Sequence, residues 1–220
     1  MWLQRYDGGM LTGSEIQRQV EKGNIVIKPF DPKRVNPNSY NLRLSNKLVV
    51  YKSYKEGFEE FIDPKTGKVI DFEKCEILDV HKKPETIEIE IPEEGFVLKP
   101  NVLYLASTME YTSTDKFIPM LEGRSSIGRY GIDVHKTAGF GDVGFKGTWT
   151  LEIVVTEEVR IYPGMEICQI SYHTPVGELD KLYNGKYLGQ EEPVASKLYT
   201  ETEMSSDMDN DIIGDRNDEI

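Results

Sequence analysis

Arg124, Ser125, Ser126 and Arg129 fall within six residues, framed by Gly123 and Gly128. Two guanidiniums and two hydroxyls at this spacing suit a polyphosphate: the Arg fork matches phosphate oxygens, and Ser/Gly turns present amides to anions. The run TAGFGDVGF follows, with Gly139, Gly141 and Gly144 where main chain can approach a flat ligand closely. Then comes TWTLEIVV, which carries one carboxylate, Glu152, in an apolar strand. Alternation puts Trp149, Leu151, Ile153 and Val155 on one face and Thr150, Glu152 and Val154 on the other. On an arbitrary strand such a glutamate is simply solvated, because Glu is seldom buried. Behind an anion cradle and a glycine wall it reads instead as a proton-transfer group. Arg124 and Arg129 taken singly would be surface charges paired with acids; beside two serines, phosphate contact is the better reading. His135, an isolated histidine, is assigned no catalytic role, and Tyr104 and Trp149 are read as packing residues.

The elements that must position these groups are mostly strands. A helix is predicted from Thr12, where Thr12-x-x-Glu15 has capping-box spacing and Ile16 and Val20 form a short apolar stripe, with Gly23 ending it. Strands are predicted over 25–27, 42–44, 48–51, 87–91, 96–98, 103–107, 148–155, 160–162 and 167–172, separated by Pro/Gly/Asn turns. Many short strands with such punctuation argue for a mainly β, barrel or jelly-roll-like domain. Residues 63–83 are charged and irregular, and read as an excursion from the sheet.

The 220 residues suffice for one domain with a sizeable core. The chain has no apolar run of eighteen and no basic-then-apolar leader, which predicts a soluble, cytoplasmic protein. Cys75 and Cys168 stand far apart and are expected to be reduced. The formal charge is −12, but residues 201–220 hold eight acids and one base, −7, leaving −5 for the rest. The tail reads as solvated, and neither part has the basic face of a nucleic-acid binder.

The 123–152 segment, GRSSIGR followed by TAGFGDVGFKGTWTLE, resembles the dCTP deaminase family, a branch of the trimeric dUTPase-like fold. The resemblance extends through MLTGSEI, PFDPKRVNPNSYNLRL, FVLKPNVLYLASTME and KYLGQEEPVASKL. It implies a distorted, jelly-roll-like β-clip domain with a short N-terminal helix, assembled as a homotrimer with active sites at subunit interfaces. Taken with the composition, it divides the chain into an extension over 1–9, the domain over 10–181, a nucleotide-closing segment over 182–200 and an acidic tail over 201–220. By the resemblance, Glu152 is catalytic, assisted by Ser125 and Arg129. Arg124, Ser125, Ser126 and Arg129 meet the phosphates, Ala138 the cytosine, and Asp142 the sugar. Thr150 and Leu151 lie along the base, while Gln169, Tyr183, Lys186 and Gln190 close around the nucleotide. Four positions depart from the usual pattern. Asn41 and Ser45 stand in the PNSYNLRL region where aspartate and glycine are common, Gly141 replaces an isoleucine, and Val143 follows Asp142.

The implied reaction is deamination of dCTP to dUTP and ammonia. Zinc deaminases need a His/Cys-x-Glu…Pro-Cys-x-x-Cys pattern. His81, His135, His173, Cys75 and Cys168 have no such spacing, so a zinc-independent attack of water on C4 is expected, with Mg²⁺ arriving on the triphosphate. dTTP is an implied allosteric inhibitor. The first alternative is a bifunctional enzyme that goes on to dUMP and pyrophosphate: Gly139-Phe140 in TAGF and Gln169 fit that branch, whereas PVASKL resembles the deaminase-only type. A plain dUTPase and a non-catalytic nucleotide-binding trimer are the remaining readings.

Overall fold

The computed structural model describes residues 8–53, 60–62 and 65–201. Apart from Gly8, Gly9 and Glu201, the N-terminal extension and the acidic tail lie outside the described residues. The protein is mainly β. Helix α1 (Gly13–Glu21) precedes strands β1 (Val26–Lys28), β2 (Tyr40–Tyr51), β3 (Glu60–Ile62), β4 (Val69–Asp71), β5 (Thr86–Glu90), β6 (Phe96–Leu98) and β7 (Tyr104–Thr108). Strands β8 (Tyr111–Ser113) and β9 (Ile118–Gly123) lead into a single helical turn, α2 (Ser125–Gly128). Strands β10 (Ile132–Asp133), β11 (Lys146–Gly147), β12 (Thr150–Val155), β13 (Val159–Ile161) and β14 (Glu166–His173) complete the set.

The start of α1 matches the sequence prediction: Thr12 Oγ1 accepts the Glu15 N–H, and Ile16 is fully buried. Gly23, at φ +73°, ends the helix in a left-handed conformation that costs glycine little. The main sheet runs β10-β12-β7-β2-β14-β9, with β5 joined to β2 off that path. Strand β7 lies between β12 and β2 and is buried along its whole length. Leu42, Leu44, Leu48, Leu151, Ile153 and Ile170 fill the core beside it.

Two local readings change. The segments 42–44 and 48–51 belong to one strand, β2, whose register against β7 breaks between Leu44 and Leu48. The exposed Asn46 and Lys47 in that gap look like an interruption in sequence. Strand β9 was not predicted, because Pro119 lies inside it. It ends the sheet path beyond β14, and an edge strand is where a missing N–H is tolerated.

The described residues divide into two compact units, one within Met1–Val50 and Glu88–Val194, the other within Tyr51–Ile87 and Ala195–Ile220. The irregular 63–83 segment belongs to the second. All the sequence-predicted site residues belong to the first.

Candidate functional site

Strand β12 presents Glu152 as its alternation requires. Leu151, Ile153 and Val155 are buried, while Thr150, Glu152 and Val154 are half-buried on the opposite face. The chain leaving β10 fixes the carboxylate. Val134 O accepts the Glu152 N–H at 3.0 Å, and the Lys136 N–H donates to Glu152 Oε2 at 2.9 Å. One backbone amide therefore orients the acid while its other oxygen stays available for a proton. Ala138 is exposed just beyond this anchor.

The glycine run then folds back along the sheet edge. Gly139 O accepts from Leu121 N at 2.5 Å, and Gly141 N–H donates to Pro119 O at 2.8 Å. A Cβ at Gly141 would collide with the Trp149 ring, so main chain lies directly on the indole. Trp149 is locked there, Nε1 donating to Thr112 Oγ1 (2.8 Å) and its backbone N–H to Thr108 Oγ1 (3.0 Å). Asp142 is exposed on a groove of about 890 Å³, lined in part by Phe140, His173, Leu179, Leu182 and Tyr183.

The segment after β14 lies along this loop. Tyr183 N–H donates to Val143 O (2.8 Å), and the Tyr183 ring meets Phe145 at 5.9 Å between centroids. Gln190 O accepts from Thr148 N at 2.8 Å, while Gln190 Nε2 donates to Thr148 O at 2.9 Å. Thr150 Oγ1 accepts from Val194 N at 3.3 Å. Lys186 Nζ stands 5.7 Å from the Tyr187 ring centroid. Leu151 is wholly in the core, so only its main chain can border a ligand.

The predicted anion cradle is a helical turn rather than an open loop. Ile127 buries its side chain and anchors α2. The N–H groups of Ile127, Gly128 and Arg129 bond to Arg124 O and Ser125 O, so they are spent within the turn. The donors left exposed on this turn include the hydroxyls of Ser125 and Ser126 and the Arg129 guanidinium, whose Nη1 also donates to Ser125 O. Gln169 braces the cradle from β14, donating to Gly123 O (3.0 Å) and accepting from Ser39 Oγ (2.7 Å).

The predicted residues thus gather in two groups. Arg124, Ser125, Ser126, Arg129 and Gln169 lie around the β9–α2 junction. Glu152, Ala138, Asp142, Thr150, Leu151, Tyr183, Lys186 and Gln190 lie on β12, the glycine loop and the segment after β14. No hydrogen bond described above joins a site residue of one group to a site residue of the other, although the glycine loop bonds to β9 through Leu121 and Pro119. Sequence reasoning missed Glu166, whose carboxylate pairs with both Arg124 (2.9 Å) and Arg34 (3.1 Å). Its partners come from distant stretches of chain, and no local pattern announces them. His135, 3.7 Å from the Glu122 carboxylate, packs under Gly139. Among the described residues no group of three or more His, Cys, Asp or Glu is placed to hold a metal ion.

A family model described as dCTP deaminase-like matches residues 10–174. A Clostridium acetobutylicum protein named "dCTP deaminase, dUMP-forming" is 50% identical over 190 residues, covering 86% of this chain and 96% of its own. Proteins of the same name from Leptospira biflexa (46% over 194 residues, 88% and 98% covered) and Cytophaga hutchinsonii (47% over 195 residues, 88% and 99% covered) agree. A solved 2'-deoxycytidine 5'-triphosphate deaminase from Agrobacterium tumefaciens shares the fold, at TM-score 0.53 and 21% identity. That match spans 77% of this chain and 49% of the solved one. With three quarters of its length matched by the family model and half of 190 aligned residues identical to a relative covered over 96% of its length, the chain belongs to the dCTP deaminase-like family.

Proposed function

We propose that this protein converts dCTP and two waters into dUMP, pyrophosphate and ammonia. The observation that carries the reading is Glu152: a half-buried carboxylate, oriented by a backbone amide, on the strand that follows a glycine loop. The choice of end product rests on the relatives, which are named as dUMP-forming at 45–50% identity. They favour the two-step alternative over the expectation that dUTP is released. The Gly139-Phe140 pair supports the same choice.

In this reading Glu152 takes a proton from the water that attacks C4. The C4=N3 electron pair moves to N3, which receives that proton. The proton of the new C4 hydroxyl then passes to the amino group, the C4–N bond breaks to release ammonia, and C4 becomes a carbonyl. Ser125 and Arg129 position the reacting groups, and fixed hydrogen bonds offset the developing charge without a transition metal. Arg124, Ser125, Ser126 and Arg129 hold the phosphates, with Mg²⁺ carried by the substrate. Ala138 borders the cytosine, Asp142 the sugar, and the Thr150–Leu151 main chain the base. Gln169, Tyr183, Lys186 and Gln190 close around the nucleotide. Asp142 then orients a second water toward the α-phosphate, releasing pyrophosphate.

The two residue groups meet, in this proposal, across protomers of a homotrimer built from dUTPase-like β-clip domains, with dTTP as an inhibitor. The groove beside Asp142, where Phe140 is 65% exposed, is compatible with such an assembly. Chromatography of a dCTP reaction tests the products. The account expects dUMP and pyrophosphate in equal amounts with no pool of dUTP. Accumulated dUTP would restore the single-step reading, and absence of ammonia would leave only nucleotide binding.

A further inference from the structure

We propose that Glu166 is a positioning residue that aims Arg124 at the polyphosphate, with Asn41 and Arg34 holding its carboxylate in place. The inference rests on the reading of the cradle given above. Both terminal nitrogens of Arg124 are engaged by this one residue: Nη1 donates to the Glu166 main-chain oxygen and Nη2 pairs with Oε2, each at 2.9 Å. Two contacts on one planar group fix its orientation, and they leave Nε–H and one hydrogen on each terminal nitrogen for an anion.

The carboxylate is itself held. Asn41 Nδ2 donates to Oε2 at 3.0 Å, and Arg34 Nη1 donates to Oε1 at 3.1 Å. Asn41 Oδ1 in turn accepts from Asn36 at 2.7 Å. The amide at position 41 donates to Glu166 while accepting from Asn36, which a carboxylate cannot do. An aspartate there would set two carboxylates against each other. The backbone supports the same arrangement. Strand β14 is bulged against β2, Glu166 pairing with Arg43 and Cys168 with Leu42. The extra residue reverses the alternation, so that Glu166 comes to the face of Gln169, which braces Gly123. Arg34, Asn41 and Arg124, from three separate segments of chain, thereby converge on the Glu166 carboxylate.

The test is a double-mutant cycle in the full-length chain, with tripolyphosphate binding by calorimetry and dCTP kinetics as readouts. Glu166→Gln is expected to weaken tripolyphosphate binding about tenfold and raise KM for dCTP by a similar factor, with kcat changed less than about twofold, the size of one charge-assisted hydrogen bond. In an Arg124→Ala background the same change should do nothing further. Asn41→Asp should weaken binding like Glu166→Gln, because two carboxylates then face each other, and combining the two should not recover the loss, since Oε2 is the oxygen that both Asn41 and Arg124 meet.

Additive effects of Arg124→Ala and Glu166→Gln, a kcat loss without a KM change, or no tripolyphosphate binding by the unaltered protein would each overturn the proposal. Ammonia release from dCTP with additive effects would leave the site reading standing and remove Glu166 from it. Coupled effects without ammonia release would do the reverse.

Discussion

Glu110 is completely buried, with Arg43 Nε on Oε1 and the Arg43 backbone N–H on Oε2, both at 2.7 Å. A buried pair of this kind adds little over an apolar filling, yet removing one partner strands the other. Glu110→Ala should therefore cost about 3 kcal/mol in denaturant unfolding. Tyr172 poses the opposite case. Its hydroxyl is buried without a partner among the described residues, so Tyr172→Phe should be neutral or stabilising by about 1 kcal/mol near neutral pH. Burial also raises the Tyr172 pKa above its ordinary 10.0 and that of the Cys168 thiol above 9.0. The folded protein then keeps protons that the unfolded chain gives up. Stability is fully present below about pH 9 and falls as the pH rises. Unfolding measured between pH 9 and 11 should show this decline, shallower by one group in Tyr172→Phe.

Among the elements, β12 was legible before any coordinates, because Leu151, Ile153 and Val155 alternate cleanly with Thr150, Glu152 and Val154. The capping of α1 was equally local and equally readable. Strand β9 was not, since Pro119 signals a break unless the strand is known to lie at an edge. The single strand β2 was hidden by the polar Asn46-Lys47 gap. Glu166 was hidden for another reason: its importance is set by residues 34, 41 and 124, which only the sheet brings together. The glycine loop was seen as a close approach to a ligand. At Gly141 the approach is to Trp149 instead, whose ring cannot turn aside because Thr112 holds its Nε1. Gly141→Ala should cost about 1–3 kcal/mol and shift the tryptophan emission, as overpacking does. An alanine variant as stable as the parent would mean that this loop is more pliant than the packing implies.

For the whole molecule, the separation of the site residues into two groups has a quantitative consequence. If each site joins the Glu152 group of one protomer to the Arg129 group of another, two inactive variants can complement. Glu152→Gln and Arg129→Ala, unfolded together and reassembled in equal amounts, should regain activity in about a quarter of the sites, the fraction expected for random closed trimers. Light scattering should give three times the 25.2 kDa chain mass. Recovery of no activity from well-formed mixed trimers would place both groups of each site on one protomer.

The most direct measurement is ammonia release from dCTP by Glu152→Gln alongside nucleotide binding by the same preparation. Loss of a positioned acid-base group typically lowers turnover by about 10²–10⁴-fold. The account predicts a fall of that size with dCTP affinity within about threefold of the parent, since binding energy and proton transfer reside in different residues. A glutamine variant that binds dCTP normally and releases ammonia at the parent rate would contradict it.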